Sequence, residues 1–211
     1  MVRRKMKVVR CRKVDGEFRV SKTALSDVLE ILASGGLVVY PTETVYGLGA
    51  DPYDEDAIKR VFRIKRRPAS MPISMAVPTQ EALWFYGVFD EHARAFCERR
   101  MPGPVTVIMR ATSLAPPSLI SKGRMLGLRV PDHPVAAQLL RAYSPLTATS
   151  ANLHGHSPPV SCSEAMDQLG KDVDIYIDSG PCKYGLESTV VDFSGGETII
   201  IRRGALSEQA L

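Results

Sequence analysis

The stretch LVVYPTETVYGLGAD, Leu37–Asp51, constrains the fold of this chain more tightly than any other. Leu37-Val38-Val39-Tyr40 is a continuous apolar, β-favouring run between Gly35-Gly36 and Pro41, the pattern of a strand covered on both faces. Pro41 ends it, because proline has no N–H to offer a neighbouring strand. The residues that follow, Thr42, Glu43, Thr44, Gly47 and Gly49, are polar or very small. Hydroxyls and glycine amides at the end of a buried strand can hold a small polar or anionic ligand, and open α/β sheets put their sites there. A glycine-containing turn between a strand and a helix would read the same way. Gly47-Leu48-Gly49 is only a fragment of a dinucleotide fingerprint, so both readings stand on this stretch alone.

Composition narrows the class. The 211 residues fit one large α/β domain with a sizeable core, and 45% hydrophobic with 24% charged residues is ordinary for a soluble globular chain. No apolar run approaches the roughly 18 residues of a membrane span. Met1–Lys5 is charged but has no apolar stretch behind it, so a secretory signal is not expected. Cys11, Cys97, Cys162 and Cys182 form no CxxC pair, which suits reduced thiols and a cytoplasmic location better than zinc. The net charge of +4 gathers in Arg3, Arg4, Lys5, Lys7, Arg10, Arg12 and Lys13. Such a cluster is either a solvated strand edge or an arm for nucleic acid.

Strand and helix signals alternate along the chain and strands cluster at its end. Expected strands lie at Met6–Cys11, Leu37–Tyr40, Ile73–Val77, Val105–Met109, Met125–Val130, Pro145–Thr149 and Ile175–Ile177, with a closing hairpin of Leu186–Phe193 and Thr198–Ile201 over Gly195-Gly196. Helices are expected to open at Ser21, Asp54, Thr79 and Asp90 and after Asp132 and Cys162, with Asp54 a good N-cap. The pattern predicts an α/β fold: one domain over residues 1–211, with a twisted open sheet of mixed parallel and antiparallel strands flanked by helices.

Four loops carry polar groups at the ends of these elements. Thr42-Glu43-Thr44 is the first. Lys65-Arg66-Arg67 is the second, either a polyphosphate grip or cations on a helix C-terminus. Ser150-Ala151-Asn152 is the third, a nucleotide contact or a local turn. The fourth joins Glu187-Ser188-Thr189 to Arg202-Arg203-Gly204. Arg129 stands inside the apolar strand Leu126–Val130, where a cation needs a carboxylate from the protein or from a ligand. No GxxxxGK[ST], GxSxG or kinase motif occurs, and His154 and His156 have no third metal ligand near them.

With these loops in order, the chain resembles the YrdC/Sua5 family of threonylcarbamoyl-AMP synthases. PTETVYGLGAD at Pro41–Asp51 looks like the family's first block, Lys65-Arg66-Arg67-Pro68 like its K-x-R motif and Ser150-Ala151-Asn152 like its S-x-N motif. PGPVT at Pro102–Thr106, LRVPDHP at Leu128–Pro134 and ESTVVD at Glu187–Asp192 follow in the expected order, and the resemblance runs from about residue 24 to 204. The additional C-terminal domain of longer Sua5 members has no counterpart, so a single YrdC-like domain is expected.

The resemblance implies an enzyme that joins L-threonine, bicarbonate and ATP, with Mg²⁺ on the phosphates, into threonylcarbamoyl-AMP and pyrophosphate. The product would pass to downstream proteins that place threonylcarbamoyladenosine on tRNA. It implies that Lys65, Arg67, Ser150, Asn152 and Arg202 bind ATP, and that Thr44, Arg129 and Ser188 bind L-threonine. No general base or covalent nucleophile is implied. Ala76 stands where some members carry a histidine, Pro158 where a serine is common, and Arg203 where R-P-G is frequent, which leaves open whether Arg202 or Arg203 faces the nucleotide. The rival expectation is a non-catalytic module binding tRNA or double-stranded RNA through the basic residues. A carbamoyl-transfer domain is a third, disfavoured by the missing zinc-finger segments.

Overall fold

The computed structural model describes residues 6–121, 123–195 and 197–207. Arg3, Arg4 and Lys5 of the basic cluster, and Gly196 of the closing turn, lie outside them. Lys7, Arg10, Arg12 and Lys13 are exposed, as a solvated edge requires.

The first elements are β1 (Lys7–Arg10), a ribbon of β2 (Arg12–Val14) and β3 (Glu17–Arg19), and helix α1 (Lys22–Ala33) capped by the Ser21 hydroxyl. Then come β4 (Val38–Tyr40), β5 (Gly47–Gly49) and α2 (Glu55–Lys65). Next are β6 (Met75–Ala76), α3 (Gln80–Tyr86), β7 (Gly87–Val88), α4 (Glu91–Arg100) and β8 (Val105–Ala111). The second half runs β9 (Met125–Arg129), α5 (Pro134–Ala142), β10 (Leu146–Thr147), β11 (Thr149–Ser150), α6 (Cys162–Leu169), β12 (Ile175–Asp178), β13 (Thr189–Asp192) and β14 (Ile199–Arg202). Asp54, Thr79 and Asp90 cap α2, α3 and α4 through side-chain oxygens, as their positions predict. No described helix is long and apolar enough to cross a membrane.

The fold is mixed α/β, with parallel and antiparallel pairing in both of its main sheets. One sheet has the order β1-β12-β4-β5-β11, and the other β10-β6-β9-β8-β13-β14 with β7 also on β8. The parallel pairs are β1–β12, β12–β4, β6–β9 and β8–β13. Val38, Val39 and Tyr40 are buried completely or nearly so, which is what a continuous apolar run anticipates.

The expected strand Pro145–Thr149 divides in two. Leu146-Thr147 pairs with β6 in the larger sheet, and Thr149-Ser150 pairs with β5 in the smaller. Ala148 is the crossing point, its N–H bonded to the Ser74 carbonyl at 2.7 Å. The Thr147 hydroxyl secures the seam by donating to Leu48 O and accepting from Ala50 N, at 2.8 and 3.0 Å. A sheet-switching segment brings the ends of strands from both sheets to one place, and the polar loops collect there.

Gly47-Leu48-Gly49 is the strand β5, and its first residue also lines a pocket at the seam. Its residues face Tyr40, Val39 and Val38 across an antiparallel pair. A Cβ on Gly47 or Gly49 would come within 3.2 or 3.0 Å of the Tyr40 ring. These glycines make room for that ring, whose hydroxyl donates to Thr147 O at 3.1 Å.

Candidate active site

Two hollows that share a wall lie at the seam. A cleft of about 430 Å³ is lined by Arg67, Ser74, Thr106, Gly127, Ala148–Ser150, Glu187, Ser188, Asp192 and Arg202, with apolar walls from Ile73, Ile108, Met125, Leu126, Val190 and Ile201. A smaller pocket beside it is lined by Tyr40, Thr42, Arg129 and Pro131 and shares Ala148, Thr149 and Ser150 with the cleft.

In the small pocket Arg129, 7% exposed, meets the carboxylate that an embedded cation demands, and the protein supplies it. Arg129 Nη2 donates to Glu43 Oε1 at 2.7 Å, and Glu43 Oε2 accepts the Asp132 N–H at 3.1 Å. Arg129 Nη1 donates to Thr44 Oγ1 at 3.3 Å. The Thr42 hydroxyl donates to Val45 O at 2.6 Å, so Thr44 Oγ1 is the donor in its 2.9 Å bond to Thr42 Oγ1. Of the three guanidinium nitrogens, one makes no hydrogen bond. Arg129 Nε has no partner, and it is the sole buried side-chain polar atom so placed among the described residues. An orphan donor on a buried guanidinium is costly, and it suits an acceptor brought by a ligand.

The cleft is built differently. Helix α2 ends in a left-handed turn at Arg66 (φ 51°), with Arg67 N–H returning to Phe62 O at 3.0 Å. That turn sends Lys65 inward and Arg67 to the cleft. Arg67 Nη2 donates to Pro72 O at 2.9 Å, with a weaker contact from Nε to Met71 O. Burial lowers the Arg67 pKa; Glu187 opposes this and Arg202 adds to it. On the facing wall Ser188 Oγ lies 2.9 Å from Thr106 Oγ1. Arg202 donates to Ser188 O at 2.9 Å and pairs with Glu187 at 2.8 Å. Gly204 crosses this backbone so closely that a Cβ would fall on Glu187 O and on the peptide between Ser188 and Thr189.

Lys65 does not line either hollow. Its side chain is buried, and its ammonium donates to Ser150 O, to Asn152 O at 2.7 Å and to Asn152 Oδ1 at 3.3 Å. The Asn152 amide donates in turn to Leu153 O and His156 O, at 2.9 and 2.7 Å. Burial, and then the charge of Arg67, pull the Lys65 pKa down to about 7 against the opposing Glu187.

All eight residues picked out in the sequence therefore converge on the seam, in two tiers. Arg67, Ser150, Ser188, Arg202 and Arg129 line the hollows, whereas Lys65, Asn152 and Thr44 stand behind them. Arg202 faces the cleft, and the exposed Arg203 is not among its lining residues. Ala76 is Arg129's register neighbour on β6. Sequence reasoning missed Glu43 and Thr106. A lone carboxylate in an otherwise uncharged loop was the signal for Glu43. Thr106 sits in PGPVT, one of the recognised blocks, and had no other signal. Among the described residues no three His, Cys, Asp or Glu side chains gather as a metal site.

The family model for Sua5, YciO and YrdC domains, described as "Telomere recombination", matches residues 30–204. The threonylcarbamoyl-AMP synthase of Chromohalobacter salexigens is 33% identical over 83% of this chain and 95% of its own. The Pyrococcus abyssi Sua5 structure complexed with L-threonine superposes with a TM-score of 0.85 at 30% identity, covering 94% of this chain. This chain spans 57% of that longer protein. E. coli YciO superposes with a TM-score of 0.86 at 27% identity, each chain covered to 98%. The matched span, the fold and the order of the motifs agree, and the chain belongs to the Sua5/YciO/YrdC family.

Proposed function

We propose that this protein is a threonylcarbamoyl-AMP synthase, acting on L-threonine, bicarbonate and ATP as one YrdC-like domain. The observation that carries the reading is Arg129: a buried guanidinium, already balanced by Glu43, whose Nε has no partner, beside a cleft containing Arg67 and Arg202. An amino-acid carboxylate would take the free Nε, with Thr44 holding the guanidinium from behind and Ser188 reaching the threonine from the cleft wall. The polyphosphate would lie toward Arg67 and Arg202, and the nucleotide near Ser150, with Lys65 and Asn152 supporting that turn. L-threonine is also the ligand in the superposable Sua5 structure.

In this reaction the threonine nitrogen adds to the carbon of bicarbonate, water leaves, and a carbamate forms. A carbamate oxygen then bonds to the α-phosphorus of ATP as the bond to the β-phosphate oxygen breaks, releasing pyrophosphate. No side chain forms a covalent intermediate. Fixed donors and alignment carry the rate, as in other displacements at phosphorus. Asp192, which lines the cleft, would hold Mg²⁺ together with phosphate oxygens, and the ion would supply charge neutralisation on the phosphates. The adenylate would serve tRNA modification through downstream transfer proteins in the cytoplasm, with tRNA a further candidate partner.

The test is to incubate the protein with ATP, Mg²⁺, bicarbonate and L-threonine and to measure pyrophosphate. It should appear only when threonine and bicarbonate are both present. Threonine-independent ATP turnover, or no turnover by folded protein, overturns the proposal.

A further inference from the structure

We propose that Lys65 is a positioning residue that holds the wall shared by the two hollows and does not itself touch phosphate. Its ammonium carries three N–H donors, and three oxygens receive them: Ser150 O, Asn152 O and Asn152 Oδ1. The return contact closes the unit, because His154 N–H donates to Lys65 O at 2.7 Å. Lys65 is 1% exposed and forms no ion pair among the described residues. The usual partner of a buried cation is a carboxylate. Here carbonyl oxygens of one turn take that place, and the turn is the end of the segment that crosses between the sheets.

Consequences for binding follow from the lining. Thr149 and Ser150 belong to both hollows, so the cap on Ser150 O sets the shape of both at once. A lysine reaching into the cleft would have to abandon all three oxygens. Ammonium geometry also matters, since the planar fork of arginine cannot meet three oxygens arranged around one nitrogen. This inference rests on the synthase reading for the identity of its ligands, but the cap exists with or without them.

Lys65→Met should weaken ATP and AMP by the same factor, about tenfold, and L-threonine as well, all measured by calorimetry. Lys65→Arg should not rescue. A loss larger for ATP than for AMP, with threonine unaffected and arginine restoring ATP, overturns the inference. A pH series gives a second readout. The three-donor cap needs the ammonium, whose pKa is about 7, so AMP affinity should fall as pH rises through that value in the parent protein. The AMP phosphate titrates near the same range in both proteins, so the difference in affinity between the parent and Lys65→Met should shrink as pH rises. Arg67 and Glu187 act on this group, and His154 and His156 lie on the same turn, so the variant, which retains all four, isolates Lys65. A difference between the two proteins that does not change with pH counts against the cap.

Hydrogen exchange on the ligand-free protein separates this idea from the synthase reading. The amides of Ala151 and His154 should exchange faster in Lys65→Met while those of β8 stay unchanged. If the parent protein binds neither threonine nor AMP, the synthase reading fails and the exchange result alone decides the cap. Should Lys65→Met not fold, Asn152→Ala removes one of the three oxygens and should show the same parity between ATP and AMP with a smaller loss. Disparity there overturns the inference equally.

Discussion

Arg129 and Arg67 stand on opposite sides of the crossing segment Ala148–Ser150, and the protein satisfies them in different ways. Arg129 is enclosed and shares its charge with a carboxylate that is itself 1% exposed. Arg67 is half-buried, leans on the carbonyls of Met71 and Pro72, and has no carboxylate within ion-pair distance among the described residues. The small pocket is thus electrically settled before any ligand arrives, with one hydrogen-bond vacancy at Nε. The cleft wall instead keeps a cation whose charge is open to a ligand. A preorganised, nearly neutral pocket chooses by shape and by hydrogen bonding, whereas an open cationic wall attracts phosphate charge and discriminates less.

Removing Glu43 attacks the contrast most directly. Glu43→Ala leaves Arg129 buried without its counter-charge and should cost about 3–5 kcal/mol in stability, measured by denaturant unfolding. Replacing both partners with apolar residues should cost far less than that, and an equal cost would mean that the pair is not the source of the loss. On the cleft side, Arg67→Ala should barely change the unfolding midpoint yet weaken ATP by about 1.5–3 kcal/mol, the range for hydrogen bonds to charged groups. If that variant unfolds easily, the two arginines are not as different as their surroundings indicate. Gly204→Ala forces a methyl onto the Glu187–Thr189 backbone and should cost about 1–3 kcal/mol in stability, with Ser188 and Arg202 displaced together. The smallest effect is expected from Thr106→Val, which takes away the hydroxyl partner of Ser188 and should cost about 1 kcal/mol, read as a modest loss of threonine affinity.

Much of the candidate site was legible in the sequence. Arg129 announced itself because a cation in an apolar strand needs a partner, and Lys65 and Arg67 because charges crowd a helix end. What the residues could not say is which way each points. Lys65 and Arg67 are two positions apart, yet a left-handed turn at Arg66 divides them between the protein interior and the cleft. Gly47 and Gly49 read equally as a ligand loop or a turn, and Gly47 does line the small pocket. Their reason is the Tyr40 ring across the hairpin, and that depends on register.

The sequence by itself determined the helix cap at Asp54, the helix starts at Thr79 and Asp90, the doubly covered strand at Val38–Tyr40, and the order of the polar loops. Each of these follows from forces acting over a few residues: a side-chain oxygen on an unpaired N–H, apolar periodicity, a proline without a donor. The tertiary structure alone decided that Arg129 meets Glu43, 86 residues away, and that Lys65 meets Ser150, 85 away. It also decided that one expected strand would serve two sheets. Such contacts are set by how strands pair across the seam, and a chain read in order carries no record of that distance.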